Sequence, residues 1–235
     1  MAATLVNAWA ERGDDVTLVS TFSGRGVCFY EISSRVRVLY LANLVRSTAT
    51  GALNAWQRFI ALRRLIRTTH ADVVVSFLAH VNIAVIAASR GTGILVIACE
   101  HTNPIAAPRG RFQRFMVRCL YPHADVLTVL TAGIVDPLRK TIPALRNVAV
   151  LPNPVDDDVL RFRKMPGAPG SRKRVLAAGR LHPIKQFDVL IDAFATLAHA
   201  FPDRDPYIWG EGPTRDALAR QIGTLKLDGA CSCRA

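Results

Sequence analysis

The sequence predicts an α/β protein built on parallel β-sheets. Short runs rich in Val, Ile and Leu alternate with segments of helical periodicity along the whole chain, and this alternation is typical of βαβ units. Half of the 235 residues are apolar, and Gly and Pro number only 15 and 13. The composition is therefore that of a globular protein and excludes collagen-like and disordered chains.

The same pattern gives the individual elements in chain order. Apolar runs bounded by polar residues predict strands at 16–21, 36–41, 73–77, 94–99, 126–130, 148–151, 175–178 and 207–209. Apolar residues that recur every three or four positions predict helices at 3–12, 52–68, 81–89, 111–121, 132–140, 186–199 and 214–225.

The periodic pattern lapses between the sixth and seventh predicted strands. Several prolines, two glycines and a cluster of charges occupy this stretch, which is typical of a linker. We therefore predict two Rossmann-like domains, an N-terminal one at 1–152 and a C-terminal one at 174–235, joined by a linker at 153–173. The last predicted helix runs into the sequence DGACSCRA where another strand is expected, so we expect the C-terminal domain to be incomplete.

The formal net charge of +12 predicts attraction to phosphates, on nucleic acid, on anionic lipid or on a small ligand. The basic residues are spread through the helices without a known nucleic-acid module, so we do not expect nucleic acid to be the partner. The most apolar stretch, 73–88, is interrupted by polar residues and is too short to span a bilayer. The start resembles no secretory signal and the five cysteines follow no disulfide or zinc spacing, so we expect a cytoplasmic protein with free thiols.

The most informative stretch is AAGRLHPIKQFDVLIDAF. The predicted strand ends at Gly179, and Arg180 and Lys185 then fall in the loop before a helix. Two cations and the free amides of a helix start can bind a diphosphate. The alternative is that both are ordinary solvated loop residues.

A second stretch, YIWGEGPTRDAL, has the same strand-loop-helix form. The strand runs into Gly210, Glu211 and Gly212, and Pro213 suits the first turn of the next helix. Glycines permit the close approach of a ligand to the backbone, although a plain turn would also explain these residues.

Together these two stretches resemble the C-terminal half of the group 1 glycosyltransferases, usually called family 4, which have the two-domain GT-B fold. Upstream, LVNAWAERGDDVTLVS is similar to the first helix and second strand of that family. VIACEHTNP is similar to its strand that ends in an active-site histidine, and VAVLPNPVD to the link between its domains. The resemblance covers most of residues 3–227.

The resemblance implies a function for each matching residue. Arg180 and Lys185 would hold the diphosphate of a nucleotide-sugar donor, and His101 would be the catalytic histidine facing the sugar or the acceptor. The donor cleft would be lined by Gly179, Gly210, Glu211 and Gly212. Without the resemblance, His101 beside Glu100 is better explained as part of a structural pair.

The family further implies retention at the anomeric carbon, with no bound metal and no cofactor besides the donor substrate. The acceptor would be a saccharide or a lipid-linked saccharide, as in surface polysaccharide assembly. We therefore expect a hexosyltransferase.

The sequence also departs from the family. The glycine-containing loop after the first strand and the pair of glutamates spaced eight apart are absent, so we expect a chain truncated at both ends. Arg204–Pro206 replaces an apolar approach to the strand, and Pro206 would remove a ladder donor from a central strand. The alternative function is therefore an inactive fragment or a non-catalytic nucleotide-sugar-binding remnant.

Two predicted helices suggest a second role for the basic residues. In the helix at 111–121, arginines fall on one side and Phe112, Phe115 and Cys119 on another, and the helix at 52–68 combines four arginines with Trp56 and Phe59. One interpretation is peripheral contact with an anionic membrane at its inner face. The other is that a solvated face covers a stripe of core residues.

Overall fold

The computed structural model describes residues 1–21, 30–45, 51–102, 110–155, 161, 173–227 and, by backbone alone, 232–234. The chain divides into two compact units, Met1–Phe162 and Arg163–Ala235, which we call unit 1 and unit 2. The greater part of the predicted linker at 153–173 lies outside the described residues, as do Cys28, Cys231 and most of the segment after Leu227.

Unit 1 begins with a small parallel sheet. Helix α1 (Ala2–Arg12) leads into β1 (Thr17–Ser20), which pairs in parallel with β2 (Arg37–Tyr40). Val6 and Ala10 of α1 pack with Val16 and Val36 beside the strands. A short helix that the sequence did not predict, α2 (Leu41–Leu44), follows β2 directly.

The larger sheet of unit 1 has four parallel strands in the order β3-β4-β5-β6. Its strands are β3 (Val73–Phe77), β4 (Leu95–Glu100), β5 (Val126–Val129) and β6 (Val148–Val150). The associated helices are α3 (Gly51–Thr68), α4 (Ala79–Ser89), α5 (Arg111–Leu120) and α6 (Val135–Thr141). Consecutive parallel strands with right-handed crossovers place α4, α5 and α6 on one face of the sheet. The largest fully buried side chains there are Tyr121, Ile86, Leu127 and Leu138.

Unit 2 contains a three-stranded parallel sheet in the order β7-β8-β9. Its elements are β7 (Lys173–Ala178), α7 (Phe187–Leu197), β8 (Arg204–Trp209), α8 (Arg215–Thr224) and β9 (Ser232–Arg234). The core is formed where α7 and α8 pack over β8, around Leu181, Ile191, Ile208, Leu218 and Ile222.

The predicted α/β class with parallel sheets is confirmed. Every predicted strand and helix is present, and the bounds differ by at most three residues. The structure adds α2 and a strand, β9, within the tail that the sequence pattern left without one. No helix in the described part of the chain is long and apolar enough to cross a bilayer.

Pro206 lies inside β8, the central strand, where the sequence predicted the loss of a ladder donor. Lys173 N donates to Asp203 O and Gly179 N donates to Trp209 O, so the odd-numbered residues of β8 bond with β7. Successive residues of a strand turn their main-chain groups to opposite neighbours, and the nitrogen of Pro206 therefore faces the β9 side. Pairing with β9 starts only at Tyr207. The proline therefore removes no hydrogen bond between β8 and β7.

Candidate functional site

The two motif segments of unit 2, residues 179–186 and 210–213, lie side by side beyond the ends of β7 and β8. Gly179 N donates to Trp209 O at 2.9 Å, and Leu181 N donates to Glu211 O at 2.9 Å. In return, Thr214 N donates to Leu181 O at 3.2 Å. The parallel pairing of the strands therefore continues as a main-chain ladder through both segments and fixes their separation.

The two glycines of the second segment face the backbone of the first. A Cβ on Gly210 would lie 2.0 Å from the carbonyl oxygen of Gly179, and one on Gly212 would lie 2.1 Å from that of Leu181. Gly210 also has a φ of 149°, a conformation that L side chains rarely adopt. The glycines are therefore required for the contact between the segments, whereas the sequence suggested only close approach to a ligand.

Arg180 and Lys185 both lie on the first segment, between the end of β7 and the start of α7. Both side chains are exposed, and neither forms an ion pair or hydrogen bond with another described residue. Pro183–Lys185 forms a 3-10 turn, in which Ile184 N donates to Nδ1 of His182 at 3.4 Å. Two exposed cations near the N-terminus of an 11-residue helix can bind an anion.

Glu211 has a defined partner. Its Oε1 accepts a hydrogen bond from Nη1 of Arg215, one helical turn along the chain, at 2.6 Å. Both side chains remain solvent-exposed, so the pair orients the carboxylate without burying it.

His101 directly follows the last residue of β4, at the carboxyl edge of the sheet in unit 1. Its ring is 5.4 Å from the ring of Phe77, at the end of the neighbouring strand β3, with an angle of 58° between the planes. Glu100 is buried, and its carboxylate accepts a hydrogen bond from the hydroxyl of Tyr121. The aromatic contact restricts the orientation of the imidazole, and the buried carboxylate has a partner other than the adjacent residue.

Comparison with known proteins identifies the family. The model of Glycosyltransferase Family 4 matches residues 1–159. The chain belongs to glycosyltransferase family 4. The resemblance that the motifs predicted is thus confirmed, and the matched region includes His101 but ends before unit 2.

One curated relative of this family 4 chain comes from Campylobacter jejuni subsp. jejuni. It is named GalNAc-alpha-(1->4)-GalNAc-alpha-(1->3)-diNAcBac-PP-undecaprenol alpha-1,4-N-acetyl-D-galactosaminyltransferase. The two are 28% identical over 229 residues, which cover 95% of this chain and 60% of the relative. The chain therefore spans about three fifths of the length of that enzyme.

Two solved structures resemble the fold of this family 4 chain. Sucrose-phosphate synthase from Thermosynechococcus elongatus has a TM-score of 0.71 at 14% identity, covering 98% of this chain and 62% of its own. Anabaena Alr3699/HepE in complex with UDP and glucose has a TM-score of 0.64 at 14% identity, covering 97% and 64%. These similarities support the predicted GT-B class of fold.

A buried polar network near His101 was missed by the sequence analysis. Ser76 Oγ donates to Oδ1 of Asn82 at 2.8 Å, and Nδ2 of Asn82 donates to the carbonyl of Cys99 at 3.1 Å. The bonds connect β3, α4 and β4 of this family 4 chain just before the strand ends. An amide within an otherwise apolar run was the available signal, because a buried amide needs partners.

Cys99, two residues before His101, has a thiol with an altered pKa. Burial raises the pKa of the Cys99 thiol, and the hydrogen bond with the Thr128 side chain opposes part of that rise. Within the described ranges, no three His, Cys, Asp or Glu side chains are grouped so that they could hold a metal ion. The expected independence from metals and cofactors stays a prediction.

Proposed function

We propose that this family 4 chain takes part in transferring a sugar from a nucleotide-diphosphate donor to a saccharide or lipid-linked acceptor. The observation that carries the proposal is the ladder between residues 179–186 and 210–213. It holds, beside a helix N-terminus, two cations whose side chains have no partner among the described residues. We further propose retention at the anomeric carbon, and a cytoplasmic reaction that contributes to surface polysaccharide assembly. The name of the Campylobacter relative, which includes a lipid-linked acceptor, supports this class of substrate.

Arg180 and Lys185 would act on the diphosphate leaving group. As the bond to the anomeric carbon breaks, negative charge develops on the diphosphate oxygens, and cations that are already in position stabilise it. The planar guanidinium of Arg180 suits two phosphate oxygens at once, whereas the ammonium of Lys185 acts as a point charge. These two residues would supply the positive charge without a metal ion.

The donor cleft would be completed by the second segment. Gly210 and Gly212 leave room for the carbonyl oxygens of Gly179 and Leu181 where the segments meet, and Glu211 presents its carboxylate beside Arg215. We propose that His101, with its ring oriented by Phe77, contacts the sugar or the acceptor.

Donor binding tests the roles of the two cations. Titration calorimetry of the purified chain with UDP, ADP and GDP should show binding of at least one nucleotide. Arg180→Ala and Lys185→Ala should each weaken that binding by about tenfold or more, because each removes a charged hydrogen bond to phosphate. Arg220→Ala removes an exposed arginine from α8 and is the matched control. Equal affinity in R180A, K185A and R220A would contradict the assignment.

A transfer assay tests catalysis separately. Radiolabelled nucleotide sugars and membrane acceptors should yield a labelled product, and His101→Ala should lower kcat by about a hundredfold or more, with little change in His199→Ala. The anomeric configuration of the product, measured by NMR, tests retention. Donor binding without transfer in any donor and acceptor combination would instead identify the non-catalytic nucleotide-sugar-binding remnant.

A further inference from the structure

Helices α3 and α5 carry much of the positive charge of the protein. Their sequences, GALNAWQRFIALRRLIRT and RFQRFMVRCL, contain seven arginines and no acidic residue. The two helices therefore carry +7 of the net charge of +12, although they form a small part of the chain. The rest of the sequence carries the remaining net charge of +5.

The exposed face of α5 combines these arginines with aromatic rings. Phe112 is 76% exposed and Phe115 is 60% exposed, whereas Val117 is buried. The interpretation of Phe112, Phe115 and Cys119 as a core stripe is therefore wrong. By helical spacing, these side chains form a stripe adjacent to that of Arg111, Arg114 and Arg118, and all three arginines are exposed.

Helix α3 has a similar exposed face. Residues that recur every three or four positions are exposed along its length, apolar in the first half and basic in the second: Leu53, Trp56, Ile60, Arg64 and Arg67. The other arginines have local partners. Arg63 donates to the carbonyls of Ala88 and Arg90 at 2.6 and 3.0 Å, and Arg58 donates to that of Thr21 at 3.2 Å.

Both helices contact α4 in unit 1. Residues Val85, Ile86 and Ala88 of α4 are buried. The exposed faces of α3 and α5 therefore belong to two helices that share α4 as a neighbour. We call them together the α3–α5 surface.

We propose that the α3–α5 surface docks on an anionic lipid bilayer. The arginines would contact headgroup phosphates, and Phe112, Phe115 and Trp56 would enter the boundary between headgroups and acyl chains, as basic amphipathic helices do. Arginines and exposed aromatic rings on the same helix face match a partner that offers negative charge next to an apolar phase, and an anionic bilayer has both. This inference goes beyond the proposed sugar transfer and does not depend on it.

Vesicle flotation tests the proposal. The purified chain should bind vesicles of phosphatidylcholine with about 30% phosphatidylglycerol, whose negative surface potential attracts basic segments. It should bind pure phosphatidylcholine vesicles at least about tenfold more weakly. Added salt should weaken the binding to anionic vesicles, since it screens the arginines. Equal binding to both vesicle types, or binding to neither, would overturn the proposal.

Variants separate the aromatic and the basic contributions. Arg114→Gln with Arg118→Gln should weaken binding by about 25-fold, at about fivefold for each arginine, and should flatten the salt dependence. Phe112→Ser with Phe115→Ser should weaken it by about tenfold or more while leaving the salt dependence in place. Arg220→Gln with Lys226→Gln removes two exposed cations from unit 2 and should change binding less than twofold.

Two further measurements exclude other partners. If a single-stranded oligonucleotide binds more tightly than anionic vesicles, and R114Q/R118Q abolishes that binding, the surface is a nucleic-acid site and the lipid assignment is wrong. If sedimentation shows a dimer that F112S/F115S dissociates, and vesicles do not bind, the surface is a self-association interface. Nucleotide affinity should stay unchanged in all these variants, so failure of docking is distinguishable from failure of the proposed donor site.

Discussion

Two regions that the family resemblance marks for function are held in different ways. In unit 2, the segments at 179–186 and 210–213 are joined by main-chain hydrogen bonds, with glycines where the backbones meet. In unit 1, the strand pairing before His101 is reinforced by side chains, through Tyr121 on Glu100 and Asn82 between Ser76 and the carbonyl of Cys99. An arrangement held by main-chain hydrogen bonds requires glycine where the backbones meet and tolerates varied side chains elsewhere. An arrangement held by side chains is weakened when any one of the hydrogen-bonding partners is replaced.

The largest effect should follow from a single methyl group in unit 2. Gly212→Ala places a Cβ about 2.1 Å from the carbonyl oxygen of Leu181, and two backbones must separate to admit it. We expect a loss of about 3 kcal/mol or more, at or above the upper end for overpacking. Hydrogen exchange followed by mass spectrometry should show faster exchange in peptides from residues 173–227 and unchanged exchange in those from residues 73–150.

Gly133→Ala is the matched control, because a Cβ there meets nothing within 4 Å. It should leave exchange in both units unchanged. Native-like exchange of residues 173–227 in the Gly212→Ala variant would show that the main-chain ladder is not the constraint that we infer.

The next effect tests the side-chain network in unit 1. Asn82→Ala leaves the Ser76 hydroxyl and the Cys99 carbonyl without their buried partner, so we expect a loss of about 3 kcal/mol in the free energy of unfolding. Asn147→Ala also removes an amide that donates to a main-chain carbonyl, that of Asp125, but at an exposed position, and should cost less than about 1 kcal/mol. Denaturant unfolding of both variants measures the difference. Equal losses would mean that burial of the network does not increase its contribution to the free energy of unfolding.

This contrast explains what the sequence could predict. The strands and helices follow from local periodicity, and the ladder in unit 2 lies between two short motifs that each contain their own glycines. The partners of Asn82 lie 6 and 17 residues away and meet it only once β3 and β4 pair in parallel. Identification of His101 as a site residue came from the family resemblance, because a single histidine after a strand has no distinctive pattern.

Two other features lay beyond sequence reasoning for physical reasons. An amphipathic pattern shows that α5 has an apolar stripe, but it cannot show whether that stripe faces the core, and Phe112 and Phe115 face solvent. Similarly, the effect of Pro206 depends on which neighbour its nitrogen faces, and that is set by the register between β7 and β8.

A smaller effect is expected at the second segment of unit 2. Glu211 and Arg215 form an exposed pair one helical turn apart, so a double-mutant cycle of Glu211→Gln and Arg215→Gln should give a coupling free energy of about 0.3–0.5 kcal/mol. Salt at 1 M should reduce that coupling, since the charges are solvated. A coupling above about 2 kcal/mol would show that this pair, and not only the main chain, holds residues 210–213 in place.

The smallest effect at neutral pH concerns Cys99, on β4 of unit 1. Burial raises the pKa of its thiol in the folded protein, so between the ordinary thiol pKa of about 8.5 and the raised value the unfolded chain binds fewer protons. The contribution is fully present below the ordinary pKa and is lost as pH rises through the raised one. The free energy of unfolding should therefore fall more steeply above pH 9 in the unmodified protein than in Cys99→Ala. Cys119→Ala, which removes an exposed thiol, should keep the steep slope, and equal slopes in all three proteins would show that the Cys99 thiol ionises as readily when folded as when unfolded.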